Sequence, residues 1–234
     1  TLRQVVALCA KGLVGAMGVA RFPGMGKTVI HWFRRDLRIT DNTALHAASK
    51  ASESVVPVYI LSGWKNNHGW TGSNRQSFLC GSLSALDGNL RAVGSRLVIR
   101  QGDAVEELEK LVSETGASAI FYNRDPDPFG RSVEERLAKT AARLGIEIHA
   151  FKDIAIHERR EVLTGAGETF RVFTPYSKAW EKLPKPPIVE RIKKLTSPNI
   201  SSLELPTLSS WGLPPAAGGV LAPAALLAGC AATA

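Results

Sequence analysis

The chain has 234 residues, 44% of them hydrophobic, and a formal net charge of +8. It can bury a sizeable core, and its charge suits a polyanionic partner such as nucleic acid. Cys9, Cys80 and Cys230 stand far apart without a CxxC pair, which argues against a zinc site or a disulfide framework and for a reducing cytoplasm. No run of 18 or more apolar residues appears, so no membrane-spanning helix is expected.

Residues 1–26 are apolar and basic up to Gly24 and contain no acidic residue. They are expected to be an extension outside the fold, with Met25 as the natural start. The chain then alternates compact apolar runs with helical patterns. The runs "TVIHWF" (28–33), "SVVPVYIL" (54–61), "RLVIR" (96–100), "SAIFYN" (118–123) and "EIHAF" (147–151) have the make-up of buried parallel strands.

Four helices are expected between and after the early strands. The first starts behind Asp41 as N-cap, and the second covers about 74–93, with Phe78, Leu79, Leu83, Leu86, Leu90 and Val93 on one face. A third opens at Asp103, with Glu106 three residues on, and stops at Gly116. The fourth is expected to begin at Ser132 and to end at Gly145. Four βα units and a fifth strand imply an α/β fold: a Rossmann-like, doubly wound, five-stranded parallel sheet with helices on both faces. In strand order 3-2-1-4-5 the binding crevice would lie between strands 1 and 4, where the loops "RRDLRITD" and "NRDPDPFG" meet.

"GMGKT" (24–28) is not a Walker A loop, because Arg21 stands where its first glycine belongs and the motif precedes a strand. No GxGxxG follows a strand, no GxSxG elbow occurs, and the five histidines have no metal-ligand spacing. The charged residues Arg34, Arg35, Asp36 and Arg38 admit two explanations: a rim for an anionic or polar ring ligand, or an internal Arg–Asp network that pins the loop. The basic stretch 178–195 reads as solvated lysines on a proline-rich linker, and Gly165 and Gly167 as a hairpin turn.

At "TVIHWFRRDLRITDNTALHAA" the chain resembles the N-terminal domain of the DNA photolyase/cryptochrome family, most closely bacterial class I cyclobutane pyrimidine dimer photolyases. "IHERREVLTGAGETFRVFTPYSKAW" and the stretch around "LPTLSSWGLPP" agree, so the resemblance runs from about Lys27 to Pro215. It implies a light-harvesting antenna domain over residues 27–183, followed by a linker and low-complexity tail over 184–234. It also implies a cytoplasmic monomer whose antenna is methenyltetrahydrofolate, 8-hydroxy-5-deazaflavin or FMN. Carried over residue by residue, the crevice would be lined by Phe33, Arg34, Arg35, Asp36, Asn123, Arg124 and Asp125. The second loop departs from the family pattern at Pro126, Asp127, Pro128 and Phe129.

Relatives continue into a helical domain that binds FAD and the damaged DNA. That domain has no counterpart in these 234 residues, so this chain by itself is expected neither to bind FAD nor to repair DNA. Two alternatives share the fold: a cryptochrome photoreceptor domain, and a stand-alone nucleotide-binding module.

Overall fold

The computed structural model describes residues 27–62, 72–158 and 160–214. The expected N-terminal extension, most of "GMGKT", His68 and the tail beyond Pro214 lie outside the described residues. Strands β1 (Thr28–Phe33), β2 (Ser54–Leu61), β3 (Val98–Gln101), β4 (Ala119–Asn123) and β5 (Glu147–Phe151) pair in parallel in the order β3-β2-β1-β4-β5. Helices α1 (Thr43–Ala51), α2 (Ser73–Ala92), α3 (Ala104–Thr115) and α4 (Pro128–Leu144) connect them, and α5 (Phe173–Lys182) follows β5. The expected doubly wound sheet is therefore observed.

Alternation along the strands divides the core between two faces. Val29 and Phe33 of β1 join Leu45 of α1 and Leu83, Leu86 and Leu90 of α2 on one face. Ile30 and Trp32 join Leu108 and Leu111 of α3 and Leu137 of α4 on the other. Phe78 departs from the expected apolar face of α2, being 53% exposed.

Among the boundaries that differ from those expected, three have an evident local reason; β4, besides, starts at Ala119 rather than Ser118. The N-cap of α1 is Asn42 rather than Asp41: its side-chain oxygen accepts the Leu45 N–H at 3.0 Å, and Asp41 takes a left-handed conformation with φ +50°. Helix α4 starts four residues before Ser132, because Asp127 caps it and Pro128 occupies its first turn, where no N–H is needed. Strand β3 starts two residues late, since the Leu97 N–H is taken by the Asp87 carboxylate at 2.9 Å.

The segment expected as a linker is extended but lies against the domain. Ile192 and Leu195 are buried in the α1–α2 core, and the backbone bonds to Ile39, Asp41, Val93, Val55 and Ile99 in turn. Helix α5, by contrast, buries none of its residues, and Phe173 at its start is 76% exposed. No described helix is long and apolar enough to cross a membrane.

Candidate functional site

Where β1 ends, the chain turns sharply and tucks Asp36 beneath the loop, leaving it 2% exposed. Its carboxylate accepts the Arg34 N–H at 2.8 Å and the side-chain amides of Asn42 at 3.0 Å and Asn123 at 2.6 Å. Asn123, at the end of β4, in turn accepts the Ala44 N–H at 3.2 Å. The side-chain amide bonds of this cluster link the loop after β1 to the cap of α1 and to β4, so they fix how the two strand ends and the first helix meet. A buried carboxylate is tolerable here because donors surround it.

His31 lies under the same cluster, fully buried, with Nε2 3.9 Å from Asp36 and neither ring nitrogen hydrogen-bonded. Burial depresses its pKa to about 4, against the opposing pull of the Asp36 charge, and the ring stays neutral near pH 7.

The outer half of the cluster is made of arginines. The Arg34 guanidinium lies 4.6 Å from the Trp32 ring centroid and 5.8 Å from that of Tyr122, and pairs with Glu134. Burial and the nearby Glu134 push the Tyr122 hydroxyl well above its ordinary value. Arg35, 58% exposed at its side chain, pairs with Asp125 at 3.0 Å and with Asp127. The Gly130 N–H, and then Arg35, hold the Asp127 carboxyl below the usual range although burial opposes them. Helix α4 can come this close only because residue 130 is glycine: a Cβ there would stand 2.5 Å from the Asp125 Cβ. Arg124 turns away, forming a two-pronged pair with Glu158 at 3.1 Å to each oxygen.

Above the arginines opens a pocket of about 480 Å³ at the C-terminal ends of β1, β2 and β3. This volume suits a small organic ligand. Trp32, Tyr59 and Phe129 supply aromatic walls, and Arg35, Ser62 and Asp103 supply polar groups. Of the expected site residues, Phe33, Arg34, Arg35 and Asp125 line the pocket; Asp36, Asn123 and Arg124 do not. The opening lies where the two expected loops meet, with Arg34 and Arg35 of the first and Asp125 of the second in its wall, and it extends further over β2 and β3 because the Asp36–Asn42–Asn123 cluster fills the space directly between β1 and β4. Trp32 and Tyr59 looked like core residues in the sequence, and Asp103 like a cap alone. Their position at strand C-termini, where ligands bind in this fold, was the available signal.

Both helix N-termini at the rim are closed by their own carboxylates. Asp103 accepts the Val105 and Glu106 N–H groups at 3.0 and 3.3 Å, and Asp127 accepts that of Gly130 at 2.6 Å. Burial pushes the Asp103 carboxyl up, but Arg136 together with the Glu106 and Val105 N–H groups outweighs it and holds the group below its ordinary value, and so ionised. A phosphate would meet occupied N–H groups and negative charge there, leaving Arg35, among the described residues, as the exposed cation of the pocket. The arrangement favours a flat ring stacked on aromatic walls over a polyphosphate.

The glycine-rich "LTGAGETF" forms a tight hairpin, with Leu163 bridged to Thr169 and Gly167 at φ +79°, as expected for a turn. Among the described residues no group of three or more His, Cys, Asp or Glu side chains is placed to hold a metal ion.

Comparison with known proteins agrees with this geometry. Residues 29–194 match the family described as DNA photolyase. A deoxyribodipyrimidine photo-lyase of Agrobacterium fabrum is 37% identical over 173 residues, which cover 74% of this chain and 36% of that protein. A class III photolyase from Agrobacterium tumefaciens superposes with a TM-score of 0.72 at 33% identity, covering 89% of this chain and 41% of the other. An archaeal photolyase from Sulfolobus tokodaii, solved with two FAD molecules and described as implying a novel light-harvesting cofactor, gives 0.65 at 30% identity, over 82% of this chain and 43% of the other. The likeness is thus not specific to class I enzymes. The chain spans well under half the length of these relatives.

Proposed function

Because the chain belongs to the DNA photolyase family, we propose that its α/β domain is a light-harvesting antenna domain, serving blue-light repair of cyclobutane pyrimidine dimers in a full-length enzyme. One observation carries this proposal: the aromatic-walled pocket of about 480 Å³ at the C-terminal ends of β1–β3. The residues present fit a planar chromophore. Trp32, Tyr59 and Phe129 give the pocket an aromatic lining, and Arg35 offers a fork of donors to a single anionic or carbonyl group. Arg34 is already committed to Glu134 and to the Trp32 ring, so its part is to stiffen the wall.

Methenyltetrahydrofolate, 8-hydroxy-5-deazaflavin and FMN are the candidate occupants. Each would supply absorption in the near-ultraviolet to blue and pass the energy to a flavin. The protein's contribution is placement and exclusion of water. The partners in this proposal are a helical FAD domain and, through it, damaged DNA, with the photolyase acting as a monomer. A dimer in damaged DNA is poorly stacked, so its extrusion costs less than that of an intact base.

The test is titration of the purified chain with each of the three chromophores, followed by absorption and fluorescence anisotropy. At least one should bind in the micromolar range, and Trp32→Ala should weaken it by about tenfold or more, as expected for losing a stacking face. Binding of ATP with no binding of any chromophore would overturn the proposal in favour of a nucleotide module.

A further inference from the structure

Residues 189–203 form a strap whose first anchor is the loop that walls the pocket. Asp41 and Val189 exchange two hydrogen bonds: the Asp41 N–H donates to the Val189 carbonyl at 3.1 Å, and the Val189 N–H donates to Asp41 Oδ1 at 2.9 Å. Among the described residues Asp41 is one of two non-glycines with positive φ, at +50°. Such a backbone is unfavourable for an L-residue and persists only when its surroundings hold it. Arg38 holds the same residue from the other side, donating to the Asp41 carbonyl at 2.6 Å and to Asp153 at 2.6 Å. Three residues on, the Ile192 N–H donates to the Ile39 carbonyl at 3.2 Å, and its side chain enters the apolar cluster that contains Phe33 and Leu45.

From this clamp a chain of bonded groups leads to the pocket. Asn42, the neighbour of Asp41, donates to the Asp36 carboxylate at 3.0 Å; Asp36 accepts the Arg34 N–H at 2.8 Å; and the Arg34 guanidinium lies over Trp32. Spatial continuity alone does not make a coupling. What adds to it here is a residue of unfavourable backbone, held from two sides by Val189 and by Arg38, at the junction of loop and strap.

We propose that Asp41 is a positioning residue that couples the strap to the pocket: with Val189 seated on Asp41 the loop holds Arg34 against Trp32, and with the strap released that contact loosens. The proposal rests on the antenna assignment only for what fills the pocket, because its test needs no ligand. Linkage makes the coupling mutual, so a filled pocket would retard release of the strap.

The test uses the full chain labelled with 5-fluorotryptophan, the Trp32 resonance being assigned by its loss in Trp32→Phe. Asp41→Gly keeps the left-handed backbone and removes the acceptor. Val189→Pro removes the donor from the strap side without altering the loop. Asp41→Asn retains an oxygen that can accept.

In both Asp41→Gly and Val189→Pro, tryptic cleavage at Arg191, Lys193 and Lys194 should quicken by about fivefold, the effect of losing one net hydrogen bond on a local opening. The Trp32 fluorine resonance should shift or broaden in both, stay near its original position in Asp41→Asn, and move no further in the Asp41→Gly/Val189→Pro double variant. Faster cleavage with an unmoved Trp32 resonance would reduce the strap to a cover. Unchanged cleavage would show that the clamp does not hold it. Either result overturns the proposal, whether or not any chromophore binds.

Discussion

Asp36 and Asp125 follow neighbouring strands, are 2% and 6% exposed, and both have arginines within a few residues. Asp36 is ringed by two side-chain amides and a backbone N–H, whereas Asp125 faces the Arg35 guanidinium at 3.0 Å. The first set is buried and cross-bonded, Asn42 also to the Asp36 and Arg38 carbonyls and Asn123 also to Asn42, so it holds its geometry as a unit. The second includes a side chain 58% exposed that can turn to a ligand at little cost. One ionic cluster therefore contains a layer that builds and a layer that can bind.

The largest test of that division is Asp36→Ala. Removing the shared acceptor takes one charge-assisted bond each from Asn42 and Asn123, which keep weaker backbone and amide acceptors, and leaves the Arg34 N–H without its partner, and should cost about 4 kcal/mol in urea unfolding. A comparable loss from Asp125→Ala would erase the distinction.

The next effect in size is acid sensitivity from His31. Its folded pKa, about 4, lies below the ordinary 6.5, so on acidification the unfolded chain takes the proton first. The contribution of His31 is complete above pH 6.5 and is lost between about 6.5 and 4, amounting to about 3 kcal/mol at the lower limit. Stability measured against pH should show this limb in the parent chain and lose it in His31→Leu.

Gly130→Ala probes the seam between the layers. Its Cβ would stand 2.5 Å from the Asp125 Cβ, and the displacement of α4 should lower stability by about 2 kcal/mol and disturb chromophore binding at the same time.

The smallest structural effect belongs to the outer layer. Arg35→Ala should lower stability by about 1 kcal/mol, since Arg35 is exposed but its partner Asp125 is buried and keeps only the Asp127 N–H and the more distant Arg34, yet weaken an anionic chromophore by about tenfold in titration. A large stability loss with unchanged binding would reverse the roles assigned to the two layers.

Much of this was legible in the residues. β-branched runs and helix stops marked the parallel sheet, whose order was taken from the Rossmann-like pattern and not from the runs themselves, and the bounds of β1, β2 and β5 coincide with their apolar runs. The site was legible by half. "RRD" and "NRD" were found as loops that meet, but their chemistry admits both a rim and an internal network, and the structure contains each in a different layer. Which arginine is exposed depends on side-chain direction, which charge spacing does not encode. Trp32 and Tyr59 escaped notice because an aromatic at the end of a strand has the same sequence signature whether it faces a core or a cavity. The docked strap escaped for another reason: prolines and lysines describe an extended solvated chain well, and only Ile192 and Leu195, three residues apart, mark where it turns inward.

That strap has a consequence for solubility. β3 stands at the margin of the sheet, and its Ile99 is the one strand residue there that gives its N–H to Ser202 at 2.9 Å and its carbonyl to Leu203 at 3.0 Å. Without those partners, a short, unpaired edge would face water, the feature through which sheets of separate molecules join and aggregate. Residues 202 and 203 thus occupy the place that a second molecule would otherwise take. A version of this domain cut at residue 183, where the composition invites the cut, would remove that protection.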